Sequence, residues 1–137
     1  MTIRSFIALP IPKETANELG DVAAKMSYQD KSNAVKWVDQ ENYHVTLAFL
    51  GEQNESDLDA FAEQLDERLS QHEFLINVSH LSPFPETKPK LLAAMVEKSD
   101  NVVSVHKQVI SSVQASGLLF DKRKFIPHVT LGRNRST

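Results

Sequence analysis

The tetrapeptide His-Val-Thr-Leu occurs twice in this chain, at residues 44–47 and again at residues 128–131. Side chains alternate between the two faces of a strand, so His44 and Thr46 share one face while Val45 and Leu47 take the other. His128 and Thr130 repeat the arrangement. Two copies supply two imidazoles and two hydroxyls, a set suited to a small anion such as a phosphate. The hydroxyls of Thr46 and Thr130 can donate to non-bridging oxygens, and Arg133, just past the second copy, can add a charge-assisted, bidentate contact. Imidazole can be tuned to exchange protons near neutral pH, so one histidine can accept a proton while the other gives one. In-line displacement at phosphorus needs such a pair, with an activated nucleophile on one side and a protonated leaving oxygen opposite.

A lone His-x-Thr in a strand is ordinarily a partly buried polar pair. Two matched copies in similar surroundings point instead to catalysis. Metal chemistry is disfavoured, because each copy offers one imidazole with no second histidine or carboxylate beside it and the usual zinc spacings are missing. No cofactor is expected, and with no Gly-rich phosphate loop ATP-driven chemistry is disfavoured too. The other histidines read as structural. His106 falls in the apolar stripe of a helix, His72 at a helix end and His80 ahead of the Ser82-Pro83 turn. Asp57, Asp59, Glu63, Asp66 and Glu67 make a solvated helix face, and Trp37 reads more readily as core than as a base-stacking platform, a role that a cleft position would suit.

The elements that must hold the two motifs recur in the same order. In the first half, Ile3–Leu9 reads as a strand, Lys13 to about Met26 as a helix, Val35–Val38 as a short strand and Tyr43–Leu50 as the motif strand closed by Gly51. A helix through Leu58, Phe61, Ala62, Leu65 and Leu69 follows, capped by Asn54 or Ser56. Phe74–Leu81 alternates as a strand, and 82–90 reads as a turn-rich loop. The second half then offers a strand at Leu91–Val96, a helix at about 101–116 stopped by Gly117, and a motif strand at Ile126–Arg133. Ile7 stands ahead of His44 at nearly the distance of Ala94 ahead of His128. The expectation is an α+β fold in one bilobal domain over residues 1–137: two pseudo-symmetric lobes of antiparallel sheet, helices outside, and a central cleft between the motif strands.

Composition sets the frame. A chain of 137 residues with 41% hydrophobic and 24% charged residues is that of an ordinary globular domain. A net charge of −3 argues against a broad, sequence-blind grip on nucleic-acid backbones. Positive charge is local, with Lys122, Arg123, Lys124, Arg133 and Arg135 straddling the second motif. They read either as a solvated loop or as a phosphate-facing rim. There is no cysteine, which removes thiolate nucleophiles and fits a reducing compartment. No membrane span or signal-peptide core is evident, so a cytoplasmic protein is expected.

The sequence resembles the 2H phosphoesterase superfamily, and within it the bacterial and archaeal RNA 2′,3′-cyclic phosphodiesterases, historically called 2′-5′ RNA ligases. The resemblance rests on Arg4-Ser-Phe6-Ile-Ala8, on Trp37 ahead of His44-Val-Thr-Leu-Ala-Phe-Leu-Gly51, and on Pro127-His-Val-Thr-Leu-Gly-Arg133. It implies metal-independent opening of a 2′,3′-cyclic phosphate at an RNA or nucleotide end, leaving a 2′-phosphate. It makes His44 the proton donor and His128 the proton acceptor, roles that the symmetry of the motifs alone leaves open. It also assigns Thr46, Thr130 and Arg133 to the phosphate and Phe49 to the terminal base. In a regular strand Phe49 faces away from His44, so its role requires a bulge. Members of the superfamily continue into further strands past the second motif, whereas this sequence stops soon after Arg133. A looser second lobe with an exposed sheet edge is therefore expected, on a monomer for which that edge is the route to a dimer. Alternative outcomes on the same residues are ATP-independent 2′-5′ RNA joining, 2′-5′ oligonucleotide cleavage, and RNA-end binding without turnover.

Overall fold

The computed structural model describes residues 1–69 and 74–135. In chain order they form β1 (Thr2–Pro10), α1 (Lys13–Gln29), β2 (Val35–Trp37), a 3₁₀ turn at Gln40–Asn42, β3 (His44–Asn54), α2 (Glu55–Arg68), β4 (Val78–Phe84), β5 (Leu91–Val96), α3 (Asp100–Ala115) and β6 (His128–Asn134). The protein is α+β, with antiparallel strand pairing and three α-helices among the described residues.

Local chemistry sets the helix ends. Asn54 Oδ1 accepts from Ser56 N at 2.9 Å and starts α2, and Ser99 Oγ accepts from Val102 N at 3.4 Å and starts α3. Gly117, with φ +75°, ends α3 in a left-handed conformation that glycine adopts without a Cβ penalty. Along α3 the stripe Val102, Val105, Val109 and Val113 is buried, as its spacing predicts.

The chain divides into two compact units, and neither is one half of the sequence. One gathers most of β1 and β3 with α2 and α3. The other holds α1, β2, the first residues of β3, and β4, β5 and β6. The strand β1 and the helix that follows it thus fall in different units, and so do β5 and α3. The duplicated order of elements is present, but each unit is assembled from both copies.

In the second unit β6 is the organising strand. Along one edge it pairs with β5, from Met95 opposite His128 to Leu91 opposite Arg133. The other edge is shared by β3, with Val45 opposite Val129, and by β2, with Trp37 opposite Gly132 and Lys36 opposite Arg133. Val45, Val129 and Ala94 form one row and are 1%, 0% and 0% exposed. α1 packs on β2 and β6, with Ala16, Leu19 and Ala23 buried.

One irregularity in β6 governs everything built on it. Thr130 lies opposite Ala93 and Gly132 opposite Leu92, which leaves Leu131 as an extra residue, a β-bulge. An inserted residue reverses the alternation beyond it. Leu131 and Gly132 are therefore buried in succession, and Arg133 emerges exposed. Leu47, Ala48 and Phe49 in β3 repeat the same burial sequence. Gly132 also permits the approach of β2, because a Cβ there would collide with the Val35 side chain and meet Trp37 Cε3 at 3.1 Å.

Several boundaries differ from the sequence reading. β3 does not stop at Gly51 but runs through it, with φ +66°, and passes directly into α2. β4 lies later than expected, and Ser82 and Pro83, read as loop, pair with Ala93 and Leu92. Proline is tolerated there because β4 is a terminal strand, where a missing N–H costs no ladder bond on the open side. β6 starts at His128 rather than Ile126. His72 lies outside the described residues.

His106 on α3 stacks on Phe125, with ring centroids 3.8 Å apart and planes within 3°. Burial, and then the charge of Lys98, lower its pKa from 6.5. The folded chain resists protonation that the unfolded chain accepts, so this stabilisation is present above about pH 6.5 and is lost as the pH falls below it. The melting temperature should fall between pH 7 and pH 5, and His106→Gln should flatten that slope in thermal denaturation. An unchanged slope in the variant would assign the acid sensitivity to other groups.

Candidate functional site

The Val45–Val129 pair turns inward, and the residues beside it turn to the opposite face. There His44 of β3 comes to lie across from Thr130 of β6, by antiparallel register. His128 stands two residues before Thr130 on the same face. The bulge at Leu131 adds Arg133, since Met95, Ala93 and Leu91, the β5 partners of His128, Thr130 and Arg133, all project to one side. Strand spacing and rise put the His44 and His128 backbones roughly 8 Å apart. His44, His128 and Thr130 are half-buried and Arg133 is exposed.

Both rings are oriented by neighbours. His44 Nδ1 lies 2.6 Å from the carbonyl oxygen of Asn42, which can only accept, so Nδ1 carries the proton. The 3₁₀ turn that presents this carbonyl is fixed by Asp39 Oδ1, which accepts from Glu41 N at 3.0 Å. His128 stacks against Phe84, with centroids 4.6 Å apart and planes at 29°. The sequence reading missed Phe84 by placing it in a loop. Its signal was the alternation His80, Ser82, Phe84, which continues β4 through the prolines.

Thr46 follows in β3 and is half-buried. Thr46 and Phe49 belong to the other unit. Phe49 is 43% exposed rather than core, as the slip in burial at Leu47–Ala48 requires. The Arg123 guanidinium lies 4.9 Å from its ring centroid. Asp121 donates its N–H to the Phe49 carbonyl at 2.9 Å, and its carboxylate pairs with Arg123 at 2.5 Å. That hydrogen-bonded pairing holds the Asp121 carboxyl below its usual range and raises the Arg123 guanidinium. Lys122 and Lys124 are exposed. Trp37, opposite Gly132, points to the reverse face from Arg133. It lines a cavity of about 360 Å³ there with Met26, Val35, Pro83 and Leu92.

Among the described residues no helix is long and apolar enough to cross a membrane, and no group of three or more His, Asp or Glu side chains is placed to hold a metal ion.

The chain is α+β, and two of its strands carry a His-x-Thr motif. The LigT like Phosphoesterase family profile matches residues 9–94, and the chain belongs to that family. It is 32% identical over 132 residues to a Methanocaldococcus jannaschii protein named RNA 2′,3′-cyclic phosphodiesterase, spanning 96% of this chain and 71% of that protein. A Thermotoga maritima protein of the same name is 29% identical over 133 residues, spanning 96% of this chain and 70% of the relative. Among solved structures, E. coli LigT complexed with 3′-AMP superposes with a TM-score of 0.80 at 25% identity, covering 97% of this chain and 74% of that one.

Proposed function

We propose that this chain is an RNA 2′,3′-cyclic phosphodiesterase, a hydrolase that opens terminal 2′,3′-cyclic phosphates to 2′-phosphates. The observation that carries the reading is the convergence of His44, His128, Thr130 and Arg133 on one face of two adjacent strands. Family membership and the printed names of its relatives support it.

In this scheme His128 takes a proton from water as its oxygen bonds to phosphorus. The phosphorus–O3′ bond breaks as His44 protonates O3′, and the 2′-phosphate leaves. Exchange with solvent restores both rings. Thr130 and Arg133 hold the non-bridging oxygens, the arginine as a planar fork. Thr46 on the phosphate and Phe49 on the terminal base complete the set, roles that rest on the family resemblance. The division into donor and acceptor rests there too, because the two motif faces are chemically alike. The substrate is an RNA or nucleotide end, and the protein acts as a cytoplasmic monomer.

The test is a defined oligonucleotide ending in a 2′,3′-cyclic phosphate, incubated with the protein and EDTA, the product read by phosphorus NMR. A 2′-phosphate end at an undiminished rate is expected. A 3′-phosphate product, or an untouched substrate with well-folded protein, would overturn the proposal.

A further inference from the structure

Lys36 reaches the site face from a strand to which the sequence reading gave no chemical role. It stands directly opposite Arg133 in the β2–β6 ladder, and Leu91 flanks Arg133 on the other side. Residues opposite each other in an antiparallel pair project to the same side. Lys36 therefore joins Arg133, Thr130 and His128, while its neighbours Val35 and Trp37 turn to the reverse face. Both cations are exposed, and neither has an ion-pair partner among the described residues. Like charges placed opposite across a ladder repel and destabilise the pair. In a protein of net charge −3, an uncompensated pair at this spot points to an anionic ligand.

The cyclic phosphate carries one negative charge, and Arg133 already meets it. A second cation beside the first calls for a second phosphate. Counted on β5, from Ala93 to Leu91, the Arg133 row lies two residues beyond the Thr130 row, about 7 Å along the strand, and Lys36 lies about 5 Å further across. That offset is on the scale of one nucleotide step. We infer that Lys36 binds the phosphodiester on the 5′ side of the terminal nucleoside, so that the site selects oligonucleotide ends over cyclic mononucleotides. This rests on the phosphodiesterase reading and adds a specificity-determining residue to it.

The experiment compares kcat/KM for adenosine 2′,3′-cyclic phosphate, for the dinucleotide ApA with a 2′,3′-cyclic end, and for the same dinucleotide with an uncharged methylphosphonate linkage. The wild type should prefer the charged dinucleotide. Lys36→Ala should lower that preference about tenfold, the scale of one charge-assisted contact, and Lys36→Arg should retain it. On the methylphosphonate substrate Lys36→Ala should add no further loss. A preference that survives Lys36→Ala, or an equal loss on all three substrates, overturns the inference and leaves the phosphodiesterase reading intact. A wild type that turns over none of them removes both.

Discussion

Alanine at His44 or at His128 is expected to slow cyclic-phosphate hydrolysis by about 10²–10⁴-fold, the usual contribution of a positioned acid or base. The fold should survive, because the buried row at this crossing is made by Val45, Val129 and Ala94 rather than by the imidazoles. Thermal denaturation provides the control. The His128 variant leaves Phe84 without its stacking partner and the His44 variant leaves the Asn42 carbonyl without its donor, so a small loss of stability is expected in each. The pH profile then separates the roles. A two-limbed profile in the wild type should lose one limb in each variant, and the limb that disappears tells which ring gives the proton. Variants within a few-fold of wild-type rate would remove both rings from the chemistry.

Arg133→Ala should cost on the order of 10²-fold in kcat/KM, comparable to removing one preorganised donor from a developing anion. Arg133→Lys should recover part of this, since an ammonium supplies charge but not the planar two-point grip. Arg135→Ala is the comparison. Arg135 is also exposed, and its N–H donates to the Ala34 carbonyl at 2.9 Å. Its loss should change the rate by no more than roughly twofold, in line with an ordinary surface substitution. Equal effects at positions 133 and 135 would mean that the bulge does not direct Arg133 to the reacting phosphate.

The motif strands, the valine stripe of α3, the Asn54 cap and the Gly117 stop were legible because each is written in a period or in a single residue's chemistry. The facing of Arg133 was not. Strict alternation would send it to the Val129 side, and only the extra residue at Leu131 returns it to Thr130. The burial of Leu131 and Gly132 in succession shows the slip only once the strand is paired. Lys36 was hidden for a different reason, since β2 has three residues and its partner β6 lies far along the chain. Phe84 was obscured by prolines that a terminal strand accommodates. The exchange of helices between the two units depends on long-range pairing, which no sequence window contains.

β6 has a further consequence, for biosynthesis. It is keyed between β5 on one side and β2 and β3 on the other, yet residues 128–134 leave the ribosome after all three of those neighbours. Until then their ladder bonds have no partner to close on, and the growing polypeptide carries an open slot. The same short segment that fills the slot delivers His128, Thr130 and Arg133. A nascent chain therefore gains these three side chains on the sheet only as this ladder closes.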